Sequence, residues 1–306
     1  MMKRFFIVLI GVCFVVVLRA QQDPMFTQYM FNTLSINPAY AGSADAKVFK
    51  LIHRSQWVGF EGAPTTQTFT FHTPLSKESI GLGASVVNDS HGPVKQTGFY
   101  ADASYRIIFD NAKLAFGLKA GMNLYSADLL DLHPFTGDDA AFASNISSKG
   151  LPNFGFGMMY YSRRWYIGLS SPKLLQNKLI DGDLPDFKDN QENRHMFLIA
   201  GAVFDISNYT KFKPTILVKA VNGAPPGFDV TANFLFYEKL WIGAMYRHED
   251  AAGILLQYEI NNKWKFGYSY DYTLSNLNKY SSGSHELMLG VDIGRKVGGD
   301  VSPRYF

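Results

Sequence analysis

The chain has 306 residues, with 29 Lys and Arg against 26 Asp and Glu, and 15% of its residues are aromatic. The one cysteine, Cys13, lies within the first twenty residues, so a chain without that leader has no disulfide, thiol nucleophile or cysteine-ligated metal. Three of the basic residues also lie there, and without them the two signs balance, which excludes the positive surface expected of a nucleic-acid-binding protein.

The N-terminal leader has the pattern of a secretion signal. Lys3 and Arg4 precede an apolar run from Phe5 to Leu18, and Ala20 stands before Gln21. The run is too short to cross a bilayer as a helix in the mature protein. We therefore predict a signal peptide over residues 1–20, although Arg19 departs from the usual small residues around a cleavage site.

Strict alternation of apolar and polar residues predicts β-strands. From Lys113 to Leu124 the even positions are apolar, whereas the odd positions are small or polar; Lys263 to Tyr272 alternates in the same way. Each segment is about ten residues long, the length that a tilted strand needs to cross a membrane. We expect Phe116 and Leu118 to face lipid and lipopolysaccharide, and a serine at Gly117 on the opposite face to be tolerated.

Connection lengths distinguish a membrane barrel from a soluble sandwich, in which strands also alternate. Every second connection is a tight turn: 110–111, 162–163, 237–239 and 261–262. The connections 125–152 and 171–195 are long and polar, as in outer-membrane barrels, which have short periplasmic turns and longer outer loops. We predict about fourteen strands, near residues 47–57, 66–73, 79–87, 98–108, 113–124, 153–161, 164–170, 196–205, 213–221, 228–236, 240–247, 251–259, 263–272 and 284–293.

The predicted fold is thus an all-β, transmembrane antiparallel β-barrel with both termini in the periplasm. The domains are a signal peptide (1–20), a non-strand N-terminal segment (21–46), the barrel (47–293) and a C-terminal tail (294–306). The N-terminal segment is rich in Tyr, Phe, Met and Asn without a period of two. Two uses of it are open, as a plug in the barrel or as an exposed docking strip for a periplasmic partner.

Charged residues on the non-lipid face predict a lumen with both signs in similar number. Intermixed signs favour a network of paired charges in an occluded lumen over an ion-selective pore, although ordinary water-facing residues would look the same. The residues are Asp102, Arg106, Lys119, Asp229, Arg247, Lys263, Lys265, Asp271, Glu286 and Asp292.

No pattern of catalytic or metal-binding residues stands out. The seven histidines lack the short spacing that would place two ligands on one face of a strand or helix. Asp138, Asp139, Asp181 and Asp183 could hold calcium, but a solvated turn is the preferred interpretation. We therefore expect no enzyme activity, no cofactor and no metal.

The mature N-terminus resembles that of the PorP/SprF family, outer-membrane components associated with the type IX secretion system of Bacteroidetes. The likeness begins with residues 21–32 (QQDPMFTQYMFN) and 36–43 (INPAYAGS). It continues over nearly the whole mature chain, through Gln56-Trp57, Gly59-Phe60, Pro64-Thr65, Asn88-Asp89, Gly92, Arg194-His195, Lys213-Pro214, Leu240 to Gly243, Tyr246-Arg247, Gly267 to Asp271, Gly283 to Glu286 and Pro303 to Phe306.

This resemblance implies a role in secretion or surface presentation through protein contacts. The implied partners are the periplasmic ring and a peptidoglycan-linked lipoprotein, or a large surface protein with a C-terminal sorting domain. The main secretion apparatus and a dedicated adhesin both remain open. Aromatic and arginine side chains anchor many interfaces, so the predicted docking or plug residues are Phe26, Tyr29, Phe31, Tyr40, Arg304, Tyr305 and Phe306.

Two alternatives stay open at this point. The last three residues would serve equally well as a terminal signal for barrel assembly. The barrel as a whole would also suit a passive porin or a plugged solute carrier, because about fourteen strands enclose enough space for a channel.

Overall fold

Antiparallel β-strands dominate the computed structural model, which describes residues 24–44, 46–75, 78–130, 145–179, 191–222, 224–261 and 263–294. The strands in these residues are β1 (Lys47–Ser55), β2 (Thr65–Pro74), β3 (Ile80–His91), β4 (Val94–Ile108), β5 (Ala112–Ala127), β6 (Ile146–Ser162), β7 (Trp165–Ser171), β8 (His195–Ala202), β9 (Phe204–Ser207), β10 (Thr210–Val221), β11 (Gly227–Phe236), β12 (Leu240–Arg247), β13 (Ala251–Glu259), β14 (Trp264–Thr273) and β15 (Ser284–Ile293).

The strands close into a barrel. Strands adjacent in sequence pair antiparallel, except β8 with β9, and β15 pairs with β1 from Lys47 opposite Ile293 to Ser55 opposite His285. Segments β8 and β9 are two parts of one barrel strand interrupted at Val203, and both pair with β10. The result is a closed fourteen-strand barrel, which confirms the predicted fold class and strand number.

Strand lengths differ most from the prediction on one side of the barrel. Strands β4, β5 and β6 have 15, 16 and 17 residues, whereas β7 has seven. The prediction began β4 at residue 98 and β6 at residue 153. The residues added to β4 and β6 include Lys95, Gln96, Ser147 and Lys149, and these polar residues follow one another without alternation, so the pattern gives no sign of a strand there.

Burial alternates along the strands as the period of two predicts. On β5, Leu118 is 64% exposed on the outer face and Lys119 is 5% exposed on the inner face. Lys263 is an exception among the predicted lumen charges, because it precedes β14 and is exposed. No helix in the described residues is long and apolar enough to cross a membrane.

The two ends of the barrel differ in their connections. We call the end that carries connections 75–79, 109–111, 163–164, 208–209, 237–239 and 260–263 the turn end. The opposite end, the loop end, carries connections 56–64, 92–93, 128–145, 172–194, 222–226, 248–250 and 274–283. Because the strand number is even, β1 starts and β15 finishes at the turn end.

The main hydrophobic core lies inside the barrel. It joins residues of the N-terminal segment to inward-facing side chains of the strands, among them Ile52, Met159, Leu217 and Met288. The barrel therefore encloses its own N-terminal segment, and this filled lumen is the most distinctive feature of the fold.

Candidate functional site: the occupied lumen

The N-terminal segment makes many of its backbone hydrogen bonds within itself, by forming three consecutive 3₁₀ turns. These are η1 (Tyr29–Phe31), η2 (Thr33–Ser35) and η3 (Pro38–Tyr40). Asn37 caps η3, since its side chain accepts a hydrogen bond from Ala39 N at 2.9 Å and Pro38 occupies the first position of the turn. A compact run of turns can fill a lumen without leaving many buried amides unpaired.

Three charged side chains hold the start of the segment at the loop end; we call Arg54, Asp271 and Glu286 the loop-end latch. The two carboxylate oxygens of Glu286 accept the backbone N–H groups of Thr27 and Gln28, each at 2.9 Å. Asp271 accepts the Thr27 hydroxyl at 2.5 Å. Arg54 Nη1 lies 2.9 Å from Asp271 Oδ2 and 3.3 Å from Glu286 Oε2, so the two acids share its single positive charge in a buried site.

Two further ion pairs join adjacent strands on the inner face of the barrel. The Arg247 guanidinium donates to both oxygens of Asp229 at 2.8–3.1 Å, and its Nη2 lies 3.5 Å from the carbonyl oxygen of Phe26. Lys119 Nζ lies 3.1 Å from Asp102 Oδ1. Pairing lowers the cost of burying these charges, which would be several kcal/mol for each ion alone.

Aromatic packing holds the middle of the segment. Lys213 is fully buried, with its Nζ 5.2 Å from the centre of the Phe31 ring and 5.6 Å from that of Trp241. The Phe31 and Trp241 rings are themselves 5.8 Å apart. The ammonium group therefore sits over two ring faces, a favourable position for a cation removed from water.

Wall side chains bind the backbone of the segment near the turn end. Arg106 Nη1 and Ser104 Oγ both donate to the carbonyl oxygen of Ala41, each at 2.7 Å. Gly42 N donates to Nδ1 of His72 at 3.2 Å, and the His72 ring contacts Tyr40 edge-on at 5.4 Å. These contacts are directed at main-chain groups, so they fix the path of the segment.

Glycines on the inner face of the wall let the segment approach closely. A Cβ added at any of them would lie within 3.3 Å of an atom of the segment, in most cases a backbone or side-chain atom of Asn37, Pro38, Ala39 or Ala41. We call this set the glycine track: Gly81, Gly83, Gly117, Gly157, Gly168 and Gly267.

All four predicted aromatic anchors, Phe26, Tyr29, Phe31 and Tyr40, are buried in the lumen. They are therefore not exposed for docking in this structure. The other three predicted anchors, Arg304, Tyr305 and Phe306, lie outside the described residues, as do the acidic pairs at 138–139 and 181–183.

The sequence reasoning missed Arg54, Lys213 and the role of the glycines. Arg54 alternates with Lys50 and Ile52 on the inner face of β1, but His53 next to it obscured the pattern. In the sequence, Lys213 contributes only to the family resemblance, and nothing beside it indicates burial against two rings. No cluster of three or more His, Cys, Asp or Glu residues that could hold a metal occurs in the part of the chain that the structure describes.

A family model described as type IX secretion system membrane protein PorP/SprF matches residues 18–291. No curated protein sequence matches the chain. Among solved structures, the outer membrane protein Omp33 of Acinetobacter baumannii is 9% identical, with a TM-score of 0.47 over 83% of this chain and 100% of that one. The hydrocarbon channel CymD is 8% identical, with a TM-score of 0.47 over 88% and 92%. A deletion mutant of the channel TodX is 9% identical, with a TM-score of 0.48 over 85% and 92%.

Proposed function

The chain belongs to the PorP/SprF family of type IX secretion membrane proteins, and from this premise we propose that it acts without catalysis, through protein–protein contacts. It sits in the outer membrane and serves secretion or the surface presentation of secreted proteins. Its partners are a periplasmic ring component or peptidoglycan-linked lipoprotein, or a surface protein with a C-terminal sorting domain.

The occupied lumen is the observation that supports this proposal most strongly. The N-terminal segment is buried from Phe26 to Leu34 and from Ile36 to Ser43, and polar contacts hold it at both ends of the barrel. A passive porin needs a continuous water-filled path between its two ends. A barrel filled in this way instead offers its two rims to other proteins.

Each rim presents an exposed tyrosine suitable for mapping partners. Tyr237 is 70% exposed in the connection between β11 and β12 at the turn end. Tyr280 is 67% exposed in the connection between β14 and β15 at the loop end. The two residues form a matched pair, since they have the same side chain, similar exposure and positions at opposite rims.

The test replaces Tyr237 or Tyr280 by the photo-crosslinking amino acid p-benzoylphenylalanine in living cells. We expect Tyr237 to crosslink to a periplasmic ring component or lipoprotein, and Tyr280 to a surface protein with a sorting domain. A crosslink at either site to one of these proteins supports the proposal. The proposal is wrong if neither site gives one and deletion of the gene leaves secretion of sorting-domain proteins unchanged.

Liposome swelling tests the competing transport function. The intact protein should give no faster uptake of small sugars than empty liposomes, because the segment fills the lumen. Rapid uptake that depends on sugar size would favour a porin instead.

A further inference from the structure

The N-terminal segment crosses the lumen from the loop end to the turn end. Its first contacts are with residues near the loop end of their strands: Phe26 O with Arg247, the last residue of β12, and Thr27 with Glu286, the third residue of β15. Its last contacts are near the turn end, where Ala41 O meets Arg106 close to the end of β4.

The residues between these two ends contact the wall at several levels. Phe31 packs on Trp241, the second residue of β12. The Ile36 carbonyl accepts from Ser170, the next-to-last residue of β7, and Asn37 Nδ2 donates to Met158 O, four residues before the end of β6. The chain then leaves the lumen at the turn end and begins β1 at Lys47. The segment therefore runs antiparallel to β1 through the inside of the barrel.

Burial along the segment fits this path. Pro24 and Met25 are partly exposed, whereas Phe26 and the eight residues after it are buried. The partly exposed end is the one that lies against Arg247 and the loop-end latch. The chain thus enters the lumen from the loop rim.

We propose that the mature chain displays its amino terminus at the loop end, opposite the end where β15 finishes. The segment is then a strap that joins the two rims through the lumen. This step rests on the orientation assumed in testing the proposed function, with the turn end in the periplasm and the loop end outside, and the amino terminus then lies on the cell surface. This proposal differs from the sequence-based prediction, which placed both termini in the periplasm.

The small number of residues before Pro24 also supports an amino terminus at the loop end. With cleavage after Ala20, only three residues precede Pro24, and they reach about 11 Å when fully extended. The membrane-embedded part of a barrel is about 25 Å tall. A return from Pro24 to the turn end is therefore too far for the mature amino terminus.

Cysteine labelling in intact cells tests the path, because the only native cysteine lies in the leader. The probe is a membrane-impermeant maleimide, and the variants are Pro24→Cys, Glu249→Cys at the loop end and Asn111→Cys at the turn end. Glu249 and Asn111 are both exposed. We expect Pro24→Cys and Glu249→Cys to label in intact cells, and Asn111→Cys only after the outer membrane is permeabilised.

Each pattern of labelling decides a separate point. The strap is wrong if Pro24→Cys follows Asn111→Cys, or if it labels only in denaturant. If Pro24→Cys and Glu249→Cys both need permeabilisation while Asn111→Cys does not, the strap holds and the proposed membrane orientation fails. Heat-modifiable gel migration checks that each variant is folded. An epitope placed directly after Ala20 and detected by antibody on intact cells repeats the test without a change at Pro24.

Discussion

Gly117 on the inner face of β5 faces the backbone nitrogen of Ala39, and a Cβ added to Gly117 would overlap that atom. The space between the wall and the segment at this position is therefore too small for any side chain on Gly117. Because the obstructing atoms belong to the Pro38–Ala39 backbone, no side-chain rotation relieves the overlap. The expectation that a serine at Gly117 would be tolerated is therefore wrong, since it treated the lumen face as water-filled.

Gly117→Ser is predicted to lower the free energy of unfolding by about 1–3 kcal/mol, the usual cost of overpacking a filled interior. Gly290→Ser is the matched control, because Gly290 is also buried on the barrel wall but its added Cβ would lie 3.4 Å from Lys265, an ordinary contact. Urea unfolding of both variants in lipid vesicles measures the difference. Equal stabilities would show that the segment does not occupy the lumen as described.

The barrel could be predicted from sequence because the apolar residues of its outer face recur at every second position within single strands, as in β5. The site could not, because each contact depends on two distant positions, such as Gly117 with Ala39 or Glu286 with Thr27. A glycine on an inner face looks the same whether water or a peptide lies against it. The aromatic composition of the segment likewise suits both a plug and a docking strip, and only its position separates them.

Glu286→Gln is predicted to weaken the loop-end latch. The substitution removes the charge next to Arg54 and places an NH₂ group where one of two backbone N–H groups needs an acceptor. Arg54 keeps its ion pair with Asp271, so the cost comes from the buried backbone N–H group that loses its acceptor, typically about 1–3 kcal/mol. Residues 24–43 should become sensitive to added protease in detergent-solubilised protein, and the urea midpoint should fall.

Asp205→Asn provides the control for the latch. Asp205 also forms close ion pairs, with Arg164 and Lys211 at 2.7 Å each, but its side chain is 42% exposed on the turn-end rim. Exposed pairs contribute roughly 1 kcal/mol or less. Equal protease resistance of both variants would show that the Glu286 contacts do not hold the segment.

Leu118→Arg is predicted to impair assembly, because Leu118 points outward from the middle of β5. An arginine near the bilayer midplane of a barrel costs about 2–4 kcal/mol. Leu130→Arg is the control, since Leu130 is similarly exposed but lies beyond the end of β5. Heat-modifiable gel migration should be lost only for Leu118→Arg, and equal migration of the two variants would place this face outside the membrane.

Deletion of residues 24–43 is predicted to open the barrel. The lumen wall would then be lined by charges such as Arg54 and Lys119, which water can solvate, so the empty barrel can hold a continuous water column. Single-channel recordings in planar bilayers should show steady ion conductance for the deletion variant and none for the intact protein.

A synthetic peptide of residues 24–43 added to the variant should close the channel, because the wall binds the segment through contacts that need no covalent link to β1. A scrambled peptide of the same composition should leave the conductance unchanged, since it cannot place Thr27 at the latch or Ala39 over Gly117. If the deletion variant conducts no more than the intact protein, the segment is not what closes the lumen.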